Sequence, residues 1–235
     1  MDKIKTPSHV GIIMDGNGRW AEKLGKKRSY GHRAGSANVD RIVTHAFNQG
    51  VKSLTLYAFS SENWARPKEE VEQLMKLLKE YFKKFIGKVV KNDVRLRVIG
   101  GREELSKDLI KIIEDGEKKS QNNMSNNLNI AINYGGRQEI VRVVNKLIKD
   151  GKEITDKNIL ENLDTALCGE PDLIIRTGGE LRISNFLLYQ GAYSEFYFTD
   201  VLWPDFDENE LDKALLSYGQ RKRRFGKIED ENKND

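Results

Sequence analysis

Apolar positions along the chain fall into two textures. Short, nearly unbroken runs at Val10–Met14, Val51–Phe59, Val94–Ile99, Leu128–Asn133, Asp172–Arg176 and Ser194–Phe198 read as strands. Because alternation is largely lost in them, they suit a sheet covered on both faces. Between them, apolar residues recur at helical spacing: Val39, Ile42, Val43, Ala46 and Phe47; then Val71, Leu74, Met75, Leu78, Phe82 and Phe85; then Ile140, Val141, Val144, Leu147 and Ile148. The pattern predicts helices from about Arg19, over 39–48 with Gly50 as its stop, over 68–86 behind Pro67, over 102–120 and over 138–149. A short helix capped by Thr155 and a last one beyond Phe206 complete the set. Strands alternating with helices predict an α/β fold: a single domain built on a six-stranded, mostly parallel sheet flanked by helices.

The polar residues are not scattered; they gather where strands end. The first run exits into Asp15-Gly16-Asn17-Gly18-Arg19-Trp20, the second into Ser60-Ser61-Glu62-Asn63-Trp64-Ala65-Arg66, and the fifth into Arg176-Thr177-Gly178-Gly179-Glu180-Leu181-Arg182-Ile183-Ser184. Open α/β sheets place their ligands at the carboxyl ends of strands, so three such clusters should converge on one rim. The chemistry of the clusters points to anions. Two glycines leave backbone N–H groups uncovered beside a carboxylate and a guanidinium, and two arginines six residues apart bracket another glycine pair. Arg28 and His32, one short helix downstream, are placed to add donors, although Asp-Gly-Asn-Gly is also ordinary turn chemistry and a basic run is also an ordinary solvated face. Glu195 enters an aromatic strand and therefore needs a metal, an arginine or a hydrogen-bond donor.

Charge and composition narrow the partners. The chain has 235 residues with a net charge of +4, a mild excess that suits an anionic small molecule and not a nucleic-acid binder. Its single cysteine, Cys168, leaves no internal disulfide and no multi-cysteine metal site. The opening segment lacks the apolar core of a signal peptide and no run is long enough to span a bilayer, so a cytoplasmic protein is expected. Residues 1–226 read as one domain and 227–235 as a disordered polar tail.

The motifs in order resemble the cis-prenyltransferases. Met14-Asp15-Gly16-Asn17-Gly18-Arg19-Trp20, Ser60-Ser61-Glu62-Asn63-Trp64-x-Arg66-Pro67, Asn133-Tyr134-Gly135-Gly136-Arg137, Arg176-Thr177-Gly178-Gly179-Glu180-x-Arg182-Ile183-Ser184-Asn185-Phe186 and Phe198-Thr199-x-x-x-Trp203-Pro204-Asp205-Phe206 match the family's signatures over roughly residues 8–226. The nearest likeness is to the bacterial undecaprenyl diphosphate synthases. The resemblance implies repeated condensation of isopentenyl diphosphate onto an allylic diphosphate such as farnesyl diphosphate, each step forming a Z double bond, by a Mg²⁺-dependent homodimer. It implies an apolar tunnel for the growing chain and delivery of the product to the membrane, with the enzyme peripheral at the inner membrane surface.

By the same resemblance, Asp15 and Glu195 hold the metal, and Asp15 and Asn63 are the catalytic pair, Asn63 assisting proton removal. Gly16, Asn17, Gly18, Arg19, Arg28 and His32 bind the allylic diphosphate, and Trp20 bounds the lipid entrance. Arg176, Arg182, Ile183 and Ser184 bind the second diphosphate. Ser60, Ser61, Glu62, Trp64 and Arg66 are further substrate positions, and Arg224 reaches the site across the dimer. The stripe Val71, Leu74, Met75, Leu78 and Phe82 is expected to wall the tunnel. A non-catalytic partner subunit of the same fold is the alternative; Asp15, Asn63 and Arg224 speak against it.

Overall fold

The computed structural model describes residues 5–221 of the chain; the expectations for Arg224 and for the 227–235 tail lie outside the described residues. The six runs are strands β1 (His9–Ile13), β2 (Ser53–Ser60), β3 (Val94–Ile99), β4 (Asn126–Tyr134), β5 (Leu173–Arg176) and β6 (Glu195–Phe198). Their order across the sheet is β3-β4-β2-β1-β5-β6, and all five pairings are parallel, so the expected mostly parallel sheet is parallel throughout.

Helices α1 (Asn17–Lys23), α2 (Arg28–Asn48), α3 (Lys68–Lys91), α4 (Lys107–Ser120), α5 (Gly136–Lys149) and α6 (Asp156–Leu160) lie in the connections between β1 and β5, and α7 (Glu208–Gly219) follows β6. The steps β1 to β2 and β2 to β3 move one way across the sheet and β4 to β5 moves the other. Right-handed crossovers therefore put α2 and α3 on one face and α5 and α6 on the opposite one. Strand residues sort accordingly with period two: Val10, Ile12, Leu173 and Ile175 enter the main core with α2, α3 and α7, while Ile13 and Ile174 turn to the other face against Phe186 and Leu187.

Several helix limits differ from the sequence expectation, each for a local reason. Helix α2 begins at Arg28 rather than Val39 because Gly31 and Gly35 serve helix packing, not loops. A Cβ on Gly31 would lie 1.8 Å from the Asn17 carbonyl oxygen, and one on Gly35 would lie 1.9 Å from the Asn17 side-chain oxygen. Helix α3 continues past Ile86 to Lys91 because buried Val89 extends its apolar stripe. Helix α4 starts at Lys107, where the Ser106 hydroxyl accepts from the Leu109 N–H, while Arg102 is engaged with Glu117 and the Val98 carbonyl. The Thr155 cap and the Gly50 stop stand where expected, Gly50 at φ 92°.

Candidate active site

Strands β1 and β5 are neighbours whose onward connections leave in opposite directions, which opens a crevice at their carboxyl ends. Asp15 follows β1 and Arg176 ends β5, so both stand at that crevice. The Asp15 backbone is fixed there: its carbonyl accepts from the Thr177 hydroxyl at 2.7 Å and from the Trp203 N–H at 2.9 Å. One carboxylate oxygen meets Nη2 of Arg176 at 2.9 Å and the other meets Nη2 of Arg19 at 3.2 Å. Burial pushes the Asp15 carboxyl up, but the Arg176 hydrogen bond and the charges of Arg176 and Arg19 outweigh it and hold the group below its ordinary range. Asp15 is thus kept as a carboxylate.

Arg176 is the pin of this corner. It is only 4% exposed, and its Nη1 donates to the Ser184 hydroxyl at 2.7 Å and to the Arg182 carbonyl at 2.5 Å. Its Nε is buried without a protein partner. The 178–187 segment reaches these positions only through left-handed backbone, with Gly178, Gly179, Ser184, Asn185 and Leu187 all at positive φ. At Gly178 the side chain must be absent as well, since a Cβ would stand 2.7 Å from Arg19 and 3.2 Å from the Asp15 carbonyl.

A second charged cluster lies beside it, centred on Glu70 of α3, which the sequence reading did not single out. Arg66 reaches Glu70 at 3.0 Å, Arg28 at 3.5 Å and His32 at 3.5 Å. Burial raises the Glu70 carboxyl, but the charges of Arg28, Arg66 and His32 bring it below its ordinary value. Burial and the Arg66 charge depress His32. The guanidinium of Arg28 lies directly over Gly18, where a Cβ would fall 2.4 Å from its Cζ. The only sequence signal for Glu70 was its i, i+4 spacing from Arg66.

The β2 exit forms the third side. The side-chain oxygen of Asn63 accepts from the Ser60 N–H at 3.1 Å and closes the short 3-10 turn Ser61–Ala65. Trp64 donates to the Asn133 side chain at 2.8 Å, and Glu62 accepts from Asn185 at 2.8 Å, which links the β2, β4 and β5 exits. The Ser61 hydroxyl is buried without a partner.

Below this rim an apolar cavity of about 80 Å³ runs between α2, α3 and the sheet, lined by Met14, Leu56, Ala58, Phe59, Tyr81 and Trp203 among others. A shift in the β2–β4 register over Tyr57–Ser60 lets both Ala58 and Phe59 face it. Helix α3 lines it with Leu74, Leu77, Leu78 and Tyr81, an i, i+3, i+4, i+7 face. Of the expected tunnel stripe only Leu74 and Leu78 are there. Val71 and Phe82 are buried in the main core and Met75 packs against it, because the α3 stripe is broad enough to serve the sheet and the cavity at once.

Four expected residues are not brought to the rim as expected. Trp20 does not line the cavity; its indole donates to Asp205 at 2.7 Å and stacks on Tyr30. Arg182 points outward, its side chain 61% exposed and paired with Glu180 at 2.6 Å. Ile183 packs against the core on the far face. Glu195 pairs in register with Leu173, and Leu173 with Val10, so it sits at the opposite end of the sheet from Asp15, about five strand residues or ~16 Å away. There it takes an arginine partner, Arg221, at 2.7 Å. Within one chain Asp15 and Glu195 do not meet.

Among the described residues no group of three or more His, Cys, Asp or Glu gathers to cage a metal. A single, ionised, half-buried carboxylate facing a cationic crevice fits instead a divalent ion that brings most of its oxygen ligands with it, as Mg²⁺ does when it binds with phosphates.

Comparison with known proteins agrees with this arrangement. The profile of the family described as "Putative undecaprenyl diphosphate synthase" matches residues 13–226. An isoprenyl transferase of Fusobacterium nucleatum is 52% identical over 94% of this chain and 96% of its own length, and one of Aquifex aeolicus is 46% identical over 97% and 99%. The crystal structure of lavandulyl diphosphate synthase from Lavandula x intermedia in complex with dimethylallyl diphosphate superposes with a TM-score of 0.89 at 36% identity, covering 94% of this chain and 99% of that one. A "probable undecaprenyl diphosphate synthase" from Campylobacter jejuni gives 0.83 at 32% identity, covering 95% and 100%. With the fold, the Asp15 crevice and the apolar cavity beneath it, these matches establish that the chain belongs to the isoprenyl transferase family of cis-prenyltransferases.

Proposed function

We propose that the protein elongates an allylic diphosphate, with farnesyl diphosphate as primer, by successive cis additions of isopentenyl diphosphate to give undecaprenyl diphosphate, the lipid carrier of cell-wall synthesis. The observation that carries this reading is the juxtaposition of an ionised Asp15, held between Arg176 and Arg19, with an apolar cavity directly below it. That geometry suits a substrate with a charged head and a hydrocarbon tail. In each step the allylic C–O bond breaks and the diphosphate leaves with its electron pair. The double bond of isopentenyl diphosphate attacks the resulting cation, and loss of one proton restores a neutral chain.

In this reading Gly16, Asn17, Gly18 and Arg19 orient the allylic diphosphate, with Arg28, His32 and Arg66 released to it from Glu70. Arg176 and Ser184, joined at 2.7 Å, receive the second diphosphate, and Arg182 swings in from solvent. Asn63, with Ser60, Ser61, Glu62 and Trp64 around it, assists the departing proton. Mg²⁺ at Asp15 supplies positive charge to the leaving diphosphate when bound. Glu195 serves this site only from a second copy, so its role stands with the homodimer, as does the one the resemblance implies for Arg224. Trp20 meets the lipid only if its indole leaves Asp205.

The test is incubation with farnesyl diphosphate, radiolabelled isopentenyl diphosphate and Mg²⁺, with product length read by chromatography. A ladder ending at undecaprenyl length is expected. An Asp15→Ala variant should fold and lose on the order of 10²–10³ in turnover. A shorter or longer end point would overturn the undecaprenyl assignment, and an Asp15→Ala enzyme of near-normal rate would overturn the metal site.

A further inference from the structure

Asn185 has no part in the proposed chemistry, yet three strand exits meet on it. It follows Ser184, whose hydroxyl accepts from Arg176, and its own backbone is left-handed at φ 61°. Its side chain is used at both ends. Oδ1 accepts the Arg137 N–H at 2.9 Å, while Nδ2 donates to Glu62 at 2.8 Å and to Gln138 at 3.1 Å. Its carbonyl accepts the Gly136 N–H at 2.7 Å, so the residue also caps the first turn of α5. Among the described residues the Glu62 bond is the only hydrogen bond between the Ser61–Ala65 turn after β2 and the 182–187 segment after β5.

The space around this joint is closed. Gly135 precedes α5, and a Cβ there would lie 2.2 Å from the Gln138 side-chain oxygen, 2.6 Å from Asn185 Nδ2 and 2.7 Å from the Ser61 hydroxyl. The segment is also anchored beyond the joint: Phe186 and Leu187 are fully buried, and the Tyr57 hydroxyl lies 3.3 Å from the Ser184 carbonyl. Burial raises the Glu62 carboxyl, but hydrogen bonds, that of Asn185 first among them, hold it below its ordinary value. The acceptor therefore stays charged, which makes the Asn185–Glu62 bond the strong member of the set.

We infer that Asn185 is a positioning residue for the second substrate. By tying Glu62 to the neighbour of Ser184, it sets the spacing between two groups that act on one molecule: the Arg176–Ser184 pair, which takes the diphosphate, and Asn63, which assists the departing proton. The bonds of isopentenyl diphosphate fix the distance between its diphosphate and the carbon that loses the proton, so the two protein groups must be fixed as well. The inference rests on the elongation reading for the identity of that substrate. Without the link, the 182–187 segment is ordered only as the substrate binds, and affinity falls. Loss of one hydrogen bond to a charged group predicts about tenfold weaker binding. Misplacement of Asn63 against the bound substrate predicts a loss on the order of tenfold in kcat. Farnesyl diphosphate, assigned to other residues, should keep its KM.

The test is Asn185→Gly in the full chain, which keeps the left-handed backbone and removes the side chain. Thr155→Ala, which removes the side-chain cap of α6, is the structural control. Isopentenyl diphosphate is titrated by calorimetry without primer, beside steady-state incorporation and a thermal melt. Asn185→Gly should bind it about tenfold more weakly and turn over about tenfold more slowly, with the KM for farnesyl diphosphate unchanged. Thr155→Ala should lose melting temperature alone. Asn185→Asp sets a second carboxylate against Glu62 and should weaken binding at least as much. Adding Glu62→Gln returns a donor to the pair and should bring the affinity back toward that of Glu62→Gln alone. Parental affinity in Asn185→Gly, an equal rise in KM for both substrates, or no recovery in the double variant would overturn the proposal, as would a parent that binds no isopentenyl diphosphate. If the affinity loss is found while the parent incorporates none, the elongation reading falls and the positioning of the second diphosphate stands.

Discussion

Arg176→Lys separates what the charge at the crevice does from what its shape does. The guanidinium works in two directions at once: Nη2 holds Asp15 at 2.9 Å, and Nη1 holds the Ser184 hydroxyl at 2.7 Å and the Arg182 carbonyl at 2.5 Å. An ammonium on a shorter stem keeps the positive charge but can satisfy one direction only. If it stays with Asp15, two charge-assisted hydrogen bonds are lost, each worth roughly 1.5 kcal/mol, of which the Ser184 hydroxyl recovers part by turning to water. A net destabilisation of about 2 kcal/mol follows, or a fall of ~4–8 °C in melting temperature for a chain of this size. The larger effect is on rate, because the 182–184 segment and Asp15 are no longer held in one rigid frame. A loss of ~10²–10³ in kcat is expected, with a raised KM for isopentenyl diphosphate. The assay is steady-state incorporation of labelled isopentenyl diphosphate beside a thermal melt. Turnover within threefold of the parent would refute the argument, because charge alone would then suffice. Arg19→Lys is the comparison: Arg19 is 42% exposed and its contacts, Asp15 at 3.2 Å and Glu180 at 3.8 Å, are longer and more open to water than those of Arg176, so it should lose less stability.

Other outcomes follow from buried contacts. His9 is fully buried between the Gly169 carbonyl and Thr55, and burial lowers its pKa to about 4. The native state therefore favours neutral imidazole: its contribution is complete above pH 6.5 and is lost as pH falls toward 4, by about 3 kcal/mol in all. Urea midpoints measured between pH 7 and 4.5 should decline accordingly, and a flat profile would sink the assignment. Gly35→Ala would drive a methyl to 1.9 Å from the Asn17 oxygen and 2.7 Å from Trp203, costing ~1–3 kcal/mol and raising KM for the allylic substrate; an unchanged melt and KM would count against this packing. Tyr81→Ala should join the 80 Å³ cavity to a surface one of about 410 Å³ that Tyr81 also lines and lengthen the product ladder, and an unmoved end point would show that Tyr81 is no barrier.

How much of this was legible in the sequence follows from how local each cause is. The six runs and the three exit clusters were readable because a buried parallel strand announces itself by continuous apolar residues and its exit by an abrupt polar turn. Once order and parallelism were granted, Asp15, Ser60 and Arg176 had to share a rim. Residues whose role depends on a neighbouring helix were not readable. Leu77 and Tyr81 face the cavity and Val71 and Phe82 the core because of where α2 lies, which no periodicity within α3 reveals. Gly31 and Gly35 looked like loop residues because the surface they accommodate, Asn17 and Trp203, belongs to other segments. Glu195 did carry a usable signal: it begins its strand while the other site residues follow theirs. In a parallel sheet that alone puts it on the far rim, where Arg221 meets it at 2.7 Å.

The charged pairs at the site have a common logic that bears on binding. Among the described residues, each guanidinium that the proposed function sets against a diphosphate already holds a carboxylate of its own chain: Arg176 and Arg19 hold Asp15, Arg182 holds Glu180, and Arg28 and Arg66 hold Glu70. The arginines are thus oriented and partly desolvated before any substrate arrives, which lowers the ordering cost of binding. The same pairing sets a threshold. An anion that displaces one of these carboxylates leaves it uncompensated in a half-buried place, so an anion alone gains little. In the proposed function, a diphosphate arriving with a divalent cation would exchange both partners together: the arginines would hold its oxygens while Asp15 would hold the cation. Charge balance in the crevice would then be kept at each stage, and the expected outcome is weak binding of inorganic phosphate alone beside tight binding of a diphosphate with Mg²⁺, read by calorimetry.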